Sequence, residues 1–248
     1  MLSEPQTSCP CEVKPSPNFE ERKNGRAVDM LIMHYTALED DDRALDWLCN
    51  PESKVSSHYF LNRDGSLVQL VDEAERAWHA GVSFWRGESD INSCSIGIEI
   101  ANTGVEDFTE EQMMTLTMLS KELMARHGIP PHRVLAHSDV APGRKIDPGP
   151  KFPWKLLASA GVGHWVEPEN VAGGRFFQLG DEGQPVQALQ SMLGVYGYKI
   201  DITGVFDTQT EMVVKAFQMH FRPERVDGVA DASTITTLYK LSAMLPEL

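Results

Sequence analysis

Apolar residues in the first two thirds of the chain come either as short unbroken or alternating runs or as longer stripes at helical spacing. The first clear run, Met30-Leu31-Ile32-Met33, lies within Val28 to His34 between charged residues and shows no helical stripe, which predicts a short buried strand delivering His34. Asp40-Asp41-Asp42 then opens a helix carrying Ala44, Leu45, Trp47 and Leu48, with Asn50-Pro51 as its stop. The three acids suit a helix N-terminus and equally a solvated face. Tyr59-Phe60-Leu61 and Leu67-Val68-Gln69-Leu70 flank Asn62-Arg63-Asp64-Gly65-Ser66, a hairpin signal in which the glycine permits the turn. Ile96 to Ile100 reads as another strand: Ile96, Ile98 and Ile100 point one way, Gly97 and Glu99 the other. Glu99 thus projects from a face where Gly97 has no side chain to crowd a ligand. The stripe Met113, Leu116, Thr117, Leu119, Leu123 and Met124 follows a helix start near Thr109 and stops at Gly128-Ile129-Pro130-Pro131. Val134-Leu135-Ala136 returns as a strand delivering His137, and Phe152 to Ala160 gives a short helix. Alternating strands and covering helices predict an α/β domain, a central, mostly mixed β-sheet flanked by helices.

The texture changes after residue 165. Glu167 to Gly183 is turn-rich, with Pro168, Asn170, Gly173-Gly174 and Gly180-Asp181-Glu182-Gly183, and reads as a linker resting on the first domain through Phe176, Phe177 and Leu179. Val186, Leu189 and Leu193 then share one helical stripe. A repeat follows: Thr203-Gly204-Val205-Phe206-Asp207-Thr208-Gln209-Thr210 aligns with Asp227-Gly228-Val229-Ala230-Asp231-Ala232-Ser233-Thr234, and each copy leads into a helical pattern. Asp207 or Thr208, and Asp231, are the expected caps, giving a second, small domain of three helices. The repeat loops are too short for an EF-hand and lack its ordered acids and terminal Glu.

With 248 residues and 42% hydrophobic content, the chain suffices for a medium domain plus a small one. Its formal charge of -14 argues against nonspecific nucleic-acid binding and against an electrostatic anchor on an anionic membrane. No stretch has the apolar length of a transmembrane segment. Met1 to Cys11 does not read as an uncut secretory signal, which leaves the compartment open between the cell envelope, by export, and the cytoplasm. Cys9, Cys11, Cys49 and Cys94 are too few and scattered for a disulfide scaffold. The Cys9-Pro10-Cys11 pair reads as part of an exposed or irregular N-terminal arm, while Cys49 and Cys94 read as reduced and partly buried.

Candidate chemistry gathers on Leu135 to Pro150. His137 offers an imidazole nitrogen and Asp147 a carboxylate oxygen, both suited to Zn²⁺, and a loop rich in proline and glycine between them presents Lys145. His34, at the end of the earlier strand, supplies a third ligand if the two strand ends meet. Taken alone, the same residues equally describe two hydrogen-bonded sheet histidines and a turn-capping aspartate; Glu99 fits a solvated face and Lys145 a surface lysine.

Five motifs in order decide between these readings. His34-Tyr35-Thr36-Ala37, Ser57-His58-Tyr59 with Arg63-Asp64-Gly65, Trp78-His79-Ala80-Gly81, Ser95-Ile96-Gly97-Ile98-Glu99 and His137-Ser138-Asp139 through Pro150 resemble the successive motifs of zinc N-acetylmuramoyl-L-alanine amidases, the type shared with muropeptide amidases and, more distantly, peptidoglycan recognition proteins. The resemblance spans residues 15–165. It implies that His34, His137 and Asp147 are metal ligands for Zn²⁺, that Glu99 transfers protons and that Lys145 stabilises the oxyanion. His58 and His79 are not expected among the ligands; Tyr35 and Trp78 suit either sugar and peptide contacts or core packing.

Residues 184–245, with Val186-Gln187-Ala188-Leu189-Gln190 through Gly197-Tyr198, the two Gly-Val loops and Val214-Lys215-Ala216-Phe217-Gln218, resemble the three-helix peptidoglycan-binding domain, with residues 166–183 between the two. Thr203 departs from that pattern where aspartate is frequent, and Asp207 stands where a second glycine is common. Together the resemblances imply hydrolysis of the amide between the lactyl group of N-acetylmuramic acid and L-alanine, with peptidoglycan or muropeptides as partners. A noncatalytic peptidoglycan-recognition protein is the competing class, and the set of five site residues favours catalysis. Oligomeric state is not legible.

Overall fold

The computed structural model describes residues 2–169 and 173–246. Eight strands and eight helices are formed among them: β1 (Cys11–Val13), β2 (Phe19–Glu21), β3 (Met30–Tyr35), α1 (Asp41–Leu48), β4 (Tyr59–Leu61), β5 (Leu67–Gln69), β6 (Glu75–Ala77), α2 (Ile91–Cys94), β7 (Ser95–Ile100), α3 (Glu110–His127), β8 (Val134–Ala136), α4 (His137–Val140), α5 (Trp154–Ser159), α6 (Gln184–Tyr196), α7 (Thr208–Phe221) and α8 (Ala232–Ala243). Six strands make a mixed sheet in the order β1-β5-β4-β7-β3-β8, and β2 pairs with β6 as a separate ribbon. The β4–β5 hairpin is antiparallel, whereas β4–β7, β7–β3 and β3–β8 are parallel. The expected α/β architecture with a small helical addition is what forms.

Strand alternation divides the core. Leu31, Met33, Ile96, Ile98 and Ile100 turn to the face covered by α3, where Leu116, Leu119 and Leu123 meet them. Met30, Ile32 and Leu135 turn to the other face, where Trp85, Ile91 and Val140 extend the apolar layer into α6, α7 and α8. One continuous apolar cluster therefore joins the sheet to the C-terminal helices. α3 starts with a capping box in which Thr109 and Gln112 satisfy each other's backbone N–H groups, and it ends on Gly128 at φ 67°. No helix among the described residues is long and apolar enough to cross a membrane.

Three sequence expectations need correction. The N-terminal segment is no loose arm: Cys11–Val13 pairs in parallel with β5 at the sheet edge, and Cys9 is buried. A three-residue strand is too short to display alternation, so the pattern could not reveal it. The span from His137 to Asp147 is not all loop, because His137 opens the helical turn α4 directly off β8. The expected linker does not rest on the first domain through its apolar residues. Phe177 bridges to Ala230 of the helical module by a reciprocal backbone pair, while Phe176 and Leu179 stay half exposed. Asn170 lies outside the described residues.

Candidate metal centre and cleft

Strand register builds the site. In the parallel β3–β7 pair His34 lies opposite Glu99 and Ile32 opposite Gly97, so both functional side chains leave the same face of adjacent strands at their C-terminal ends. On the other side of β3, Met33 pairs with Ala136, which sets His137 one residue beyond β8 and beside His34. The returning loop brings Asp147 back to the same point, its carbonyl accepting from the Ser138 N–H at 3.0 Å.

His34 Nδ1, His137 Nδ1 and Asp147 Oδ2 converge: 2.9 Å between the imidazoles, 3.1 Å from His34 to the carboxylate and 2.9 Å from His137 to it. All three residues are buried. Their outer hydrogen bonds decide which nitrogens carry protons. His137 Nε2 faces the Ala80 carbonyl at 3.0 Å and must donate to it, leaving Nδ1 as the acceptor in the neutral ring. Ser95 Oγ donates to the Ile91 carbonyl at 2.6 Å, so it accepts from His79 Nε2 at 3.2 Å. His79 Nδ1 is then an acceptor for His34 Nε2–H at 3.0 Å, and His34 Nδ1 carries a lone pair. Burial, and next the proximity of His137, lower the His34 pKa to about 4, which keeps this ring neutral. Burial likewise pushes His79 well down, with His34 as the next cause.

Three lone-pair atoms held this close repel one another unless a cation lies among them. Two nitrogens and one oxygen converging on one point are a donor set of the kind that holds Zn²⁺ in three-residue sites. The donor chemistry fits Zn²⁺, and each of the two histidines has the kind of outer partner that fixes the tautomer of a metal-binding imidazole.

Around this centre opens a cleft of about 550 Å³ lined among others by Tyr35, Trp47, Trp78, Glu99, Arg144 and Lys145. Glu99 is half-buried, and its Oε2 is buried without a hydrogen-bond partner among the described residues. Burial raises its pKa well above the usual range, the Asp147 charge adds to this, and Lys145 opposes it. Lys145 stands half-buried on the cleft wall, so it and Glu99 flank the group His34, His137 and Asp147. All five expected site residues come together. Tyr35 and Trp78 line the cleft rather than the core, and Trp78 Nε1 has no partner among the described residues.

The two other motif histidines have separate tasks. His58 sits beside His79 with ring centroids 5.8 Å apart, accepting from the Gly97 N–H at 3.0 Å and facing the Glu75 carbonyl at 3.1 Å. His79 stacks edge-on to His34 with ring centroids 5.1 Å apart. The space left by Gly97 is therefore not ligand space. A Cβ there would lie 2.5 Å from the His79 ring, so the glycine admits the imidazole that orients His34. Sequence reasoning also missed Arg144, whose Nη2 donates to the Ala80 carbonyl at 2.6 Å beside His137. Its place directly before Lys145 was the only signal.

A family model described as N-acetylmuramoyl-L-alanine amidase matches residues 24–150, and a peptidoglycan binding domain model matches residues 182–238. Among curated proteins, the chain is 40% identical over 228 residues to N-acetylmuramoyl-L-alanine amidase AmiD of Escherichia coli, covering 84% of this chain and 79% of that one. It is 32% identical over 168 residues to 1,6-anhydro-N-acetylmuramyl-L-alanine amidase AmpD of Haemophilus influenzae, covering 60% of this chain and 91% of the relative. Among solved structures, the E. coli AmiD complex with anhydro-N-acetylmuramic acid-L-Ala-D-gamma-Glu-L-Lys superposes with a TM-score of 0.76 at 35% identity, over 90% of this chain and 96% of that one. AmpDh3 of Pseudomonas aeruginosa in complex with anhydromuramic pentapeptide gives 0.74 at 30% identity, with both chains covered in full.

Proposed function

The chain belongs to the N-acetylmuramoyl-L-alanine amidase family, and from that premise we propose that it is a Zn²⁺-dependent enzyme cleaving the amide between the lactyl carbonyl of N-acetylmuramic acid and L-alanine in muropeptides or peptidoglycan. The observation that carries this reading is the convergence of His34 Nδ1, His137 Nδ1 and Asp147 Oδ2, with tautomers fixed so that each offers a lone pair.

These three residues would hold the ion, which in such a donor set supplies Lewis acidity toward a water and toward a carbonyl oxygen. Glu99 takes the water proton on its unpartnered Oε2 as the oxygen attacks the amide carbon, then returns a proton to the departing L-alanine nitrogen. Lys145 offers its ammonium to the carbonyl oxygen as negative charge develops there. His79 holds His34 in one orientation throughout. Trp47 and Trp78 provide flat surfaces along the cleft for the sugar and stem. A recognition protein would have no use for a carboxyl group held unpartnered beside a ligand trio, so catalysis is the better reading.

We assign the chemistry to residues 15–165 and polymer binding to residues 184–245, which raises the local concentration of scissile bonds. The E. coli AmiD and P. aeruginosa AmpDh3 complexes named above carry anhydromuramyl compounds, which supports that class as substrate here. The test is to incubate the purified protein separately with an anhydromuropeptide and with intact wall and to weigh the products. Release of free stem peptide starting at L-alanine is expected. Products cut within the stem, or no cleavage of either substrate, would overturn the proposal.

A further inference from the structure

We propose that the helical module is part of the catalytic apparatus as well as a tether: Tyr198 and His220 are positioning residues that act through Asp139 to hold the turn bearing His137. The proposal rests on the metal-site reading above.

Asp139 follows His137 by two residues in α4, points away from the cleft and is fully buried. A buried carboxylate is costly unless its oxygens are satisfied. Its Oδ1 accepts from the Tyr198 hydroxyl at 2.6 Å. Its Oδ2 meets His220 Nδ1 at 2.6 Å and accepts the Ala136 N–H at 2.8 Å. Two of the three partners thus belong to the module, and the third is the backbone amide immediately before the metal ligand. His220 is itself clamped, stacking on Trp154 with ring centroids 3.7 Å apart. One carboxylate pins the His137 turn to α7 and to the segment after α6.

Independent contacts fix the surrounding loops to the same module. Gly143, at φ 74° in the loop that carries Lys145 and Asp147, lies directly against the Met212 side chain of α7, where a Cβ would meet the Met212 Sδ at 2.3 Å. The Arg86 N–H donates to the Gly197 carbonyl at 2.9 Å, and Trp85 meets Tyr198 edge-on at 4.9 Å. A tether that only raised local concentration would need none of these contacts. A ligand imidazole, by contrast, must be held to within about half an ångström, and partners outside the ligand set supply that constraint.

The test compares the full-length parent with Tyr198→Phe, which removes one hydroxyl and keeps the ring, and with Asp207→Ala, which removes the cap of α7 and touches nothing at Asp139. Three quantities are read well below the unfolding temperature: Zn²⁺ release to a chelator, kcat and KM on a small soluble muropeptide, and amide exchange of residues 134–147 in metal-free protein. Tyr198→Phe should release Zn²⁺ about tenfold faster, lower kcat severalfold with KM unchanged, and speed exchange over that segment. Asp207→Ala should match the parent in all three, although it lowers the unfolding temperature. Parental exchange and Zn²⁺ release in Tyr198→Phe would overturn the proposal, as would equal effects from Asp207→Ala, since these would mark general loosening. If the parent holds no Zn²⁺, the metal assignment fails on its own, and the exchange result still decides whether the module fixes the turn.

Discussion

Each site residue owes its place to a feature of one or two neighbours. Alternation along Ile96 to Ile100 was enough to put Glu99 on the functional face, and the end of an apolar run was enough to mark His34 and His137. What alternation could not show was which side chain fills the space beside Gly97, because His79 arrives from a loop distant in sequence. Two predictions belong at this scale. Glu99→Gln keeps the size of the side chain but cannot carry the proton, so turnover should fall by roughly 10²–10⁴-fold while Zn²⁺ content and substrate affinity stay near the parent. Single-turnover cleavage measured beside metal analysis checks this, and a parental rate would remove Glu99 from its role. Gly97→Ala drives a methyl group into the His79 ring, 2.5 Å from the Cβ position. Loss of Zn²⁺ affinity without a change at any ligand is the expected outcome of a chelator titration. Unchanged affinity would mean that His79 does not orient His34.

Among elements, the internal repeat was the most legible feature, and the structure explains its departures from the family pattern. Thr203 Oγ1 accepts the Val205 N–H at 3.1 Å, as Asp227 Oδ1 accepts the Val229 N–H at 3.0 Å, so the hydroxyl makes the turn that a carboxylate makes in the second copy. Asp207 and Asp231 cap α7 and α8 by accepting from the Thr210 and Thr234 amides. The repeat also contains a pair that periodicity conceals. Gln190 and Gln218, both wholly buried in the preceding helices, hold the two Gly-Val loops: Gln190 Oε1 accepts from the Gly204 N–H and Gln218 Oε1 from the Gly228 N–H, each at 2.8 Å. A glutamine on a helix reads as surface until the loop it serves is known. Gln218→Ala strips partners from the Asp227 and Gly228 amides and the Val229 carbonyl, and should cost about 1–3 kcal/mol in denaturant unfolding. A loss below about 0.5 kcal/mol, the size of an ordinary surface change, would contradict the assigned role.

At the scale of the molecule, two units could be read from the change of texture after residue 165, but the core they share could not, since nothing in periodicity pairs Trp85 with Tyr196 and Tyr198. The buried histidines make a global prediction about acid. Burial first, then Arg22, lowers His58 to about 3, and burial first, then His132, lowers His164 to about 4, beside His34 at about 4. With unfolded values near 6.5, the unfolded chain binds more protons at these rings between pH 6.5 and about 4. Stability of the metal-free protein should therefore fall as pH drops through that window, by roughly 1 kcal/mol per pH unit for each ring. Flat denaturation midpoints from pH 6.5 to 4.5 would contradict the neutral, buried assignment. The account as a whole depends on three lone pairs facing one point, and metal content of the purified protein beside His34→Ala tests that most directly. The account predicts about one Zn²⁺ per parent chain and almost none in the folded variant. Parental Zn²⁺ content in folded His34→Ala would contradict it.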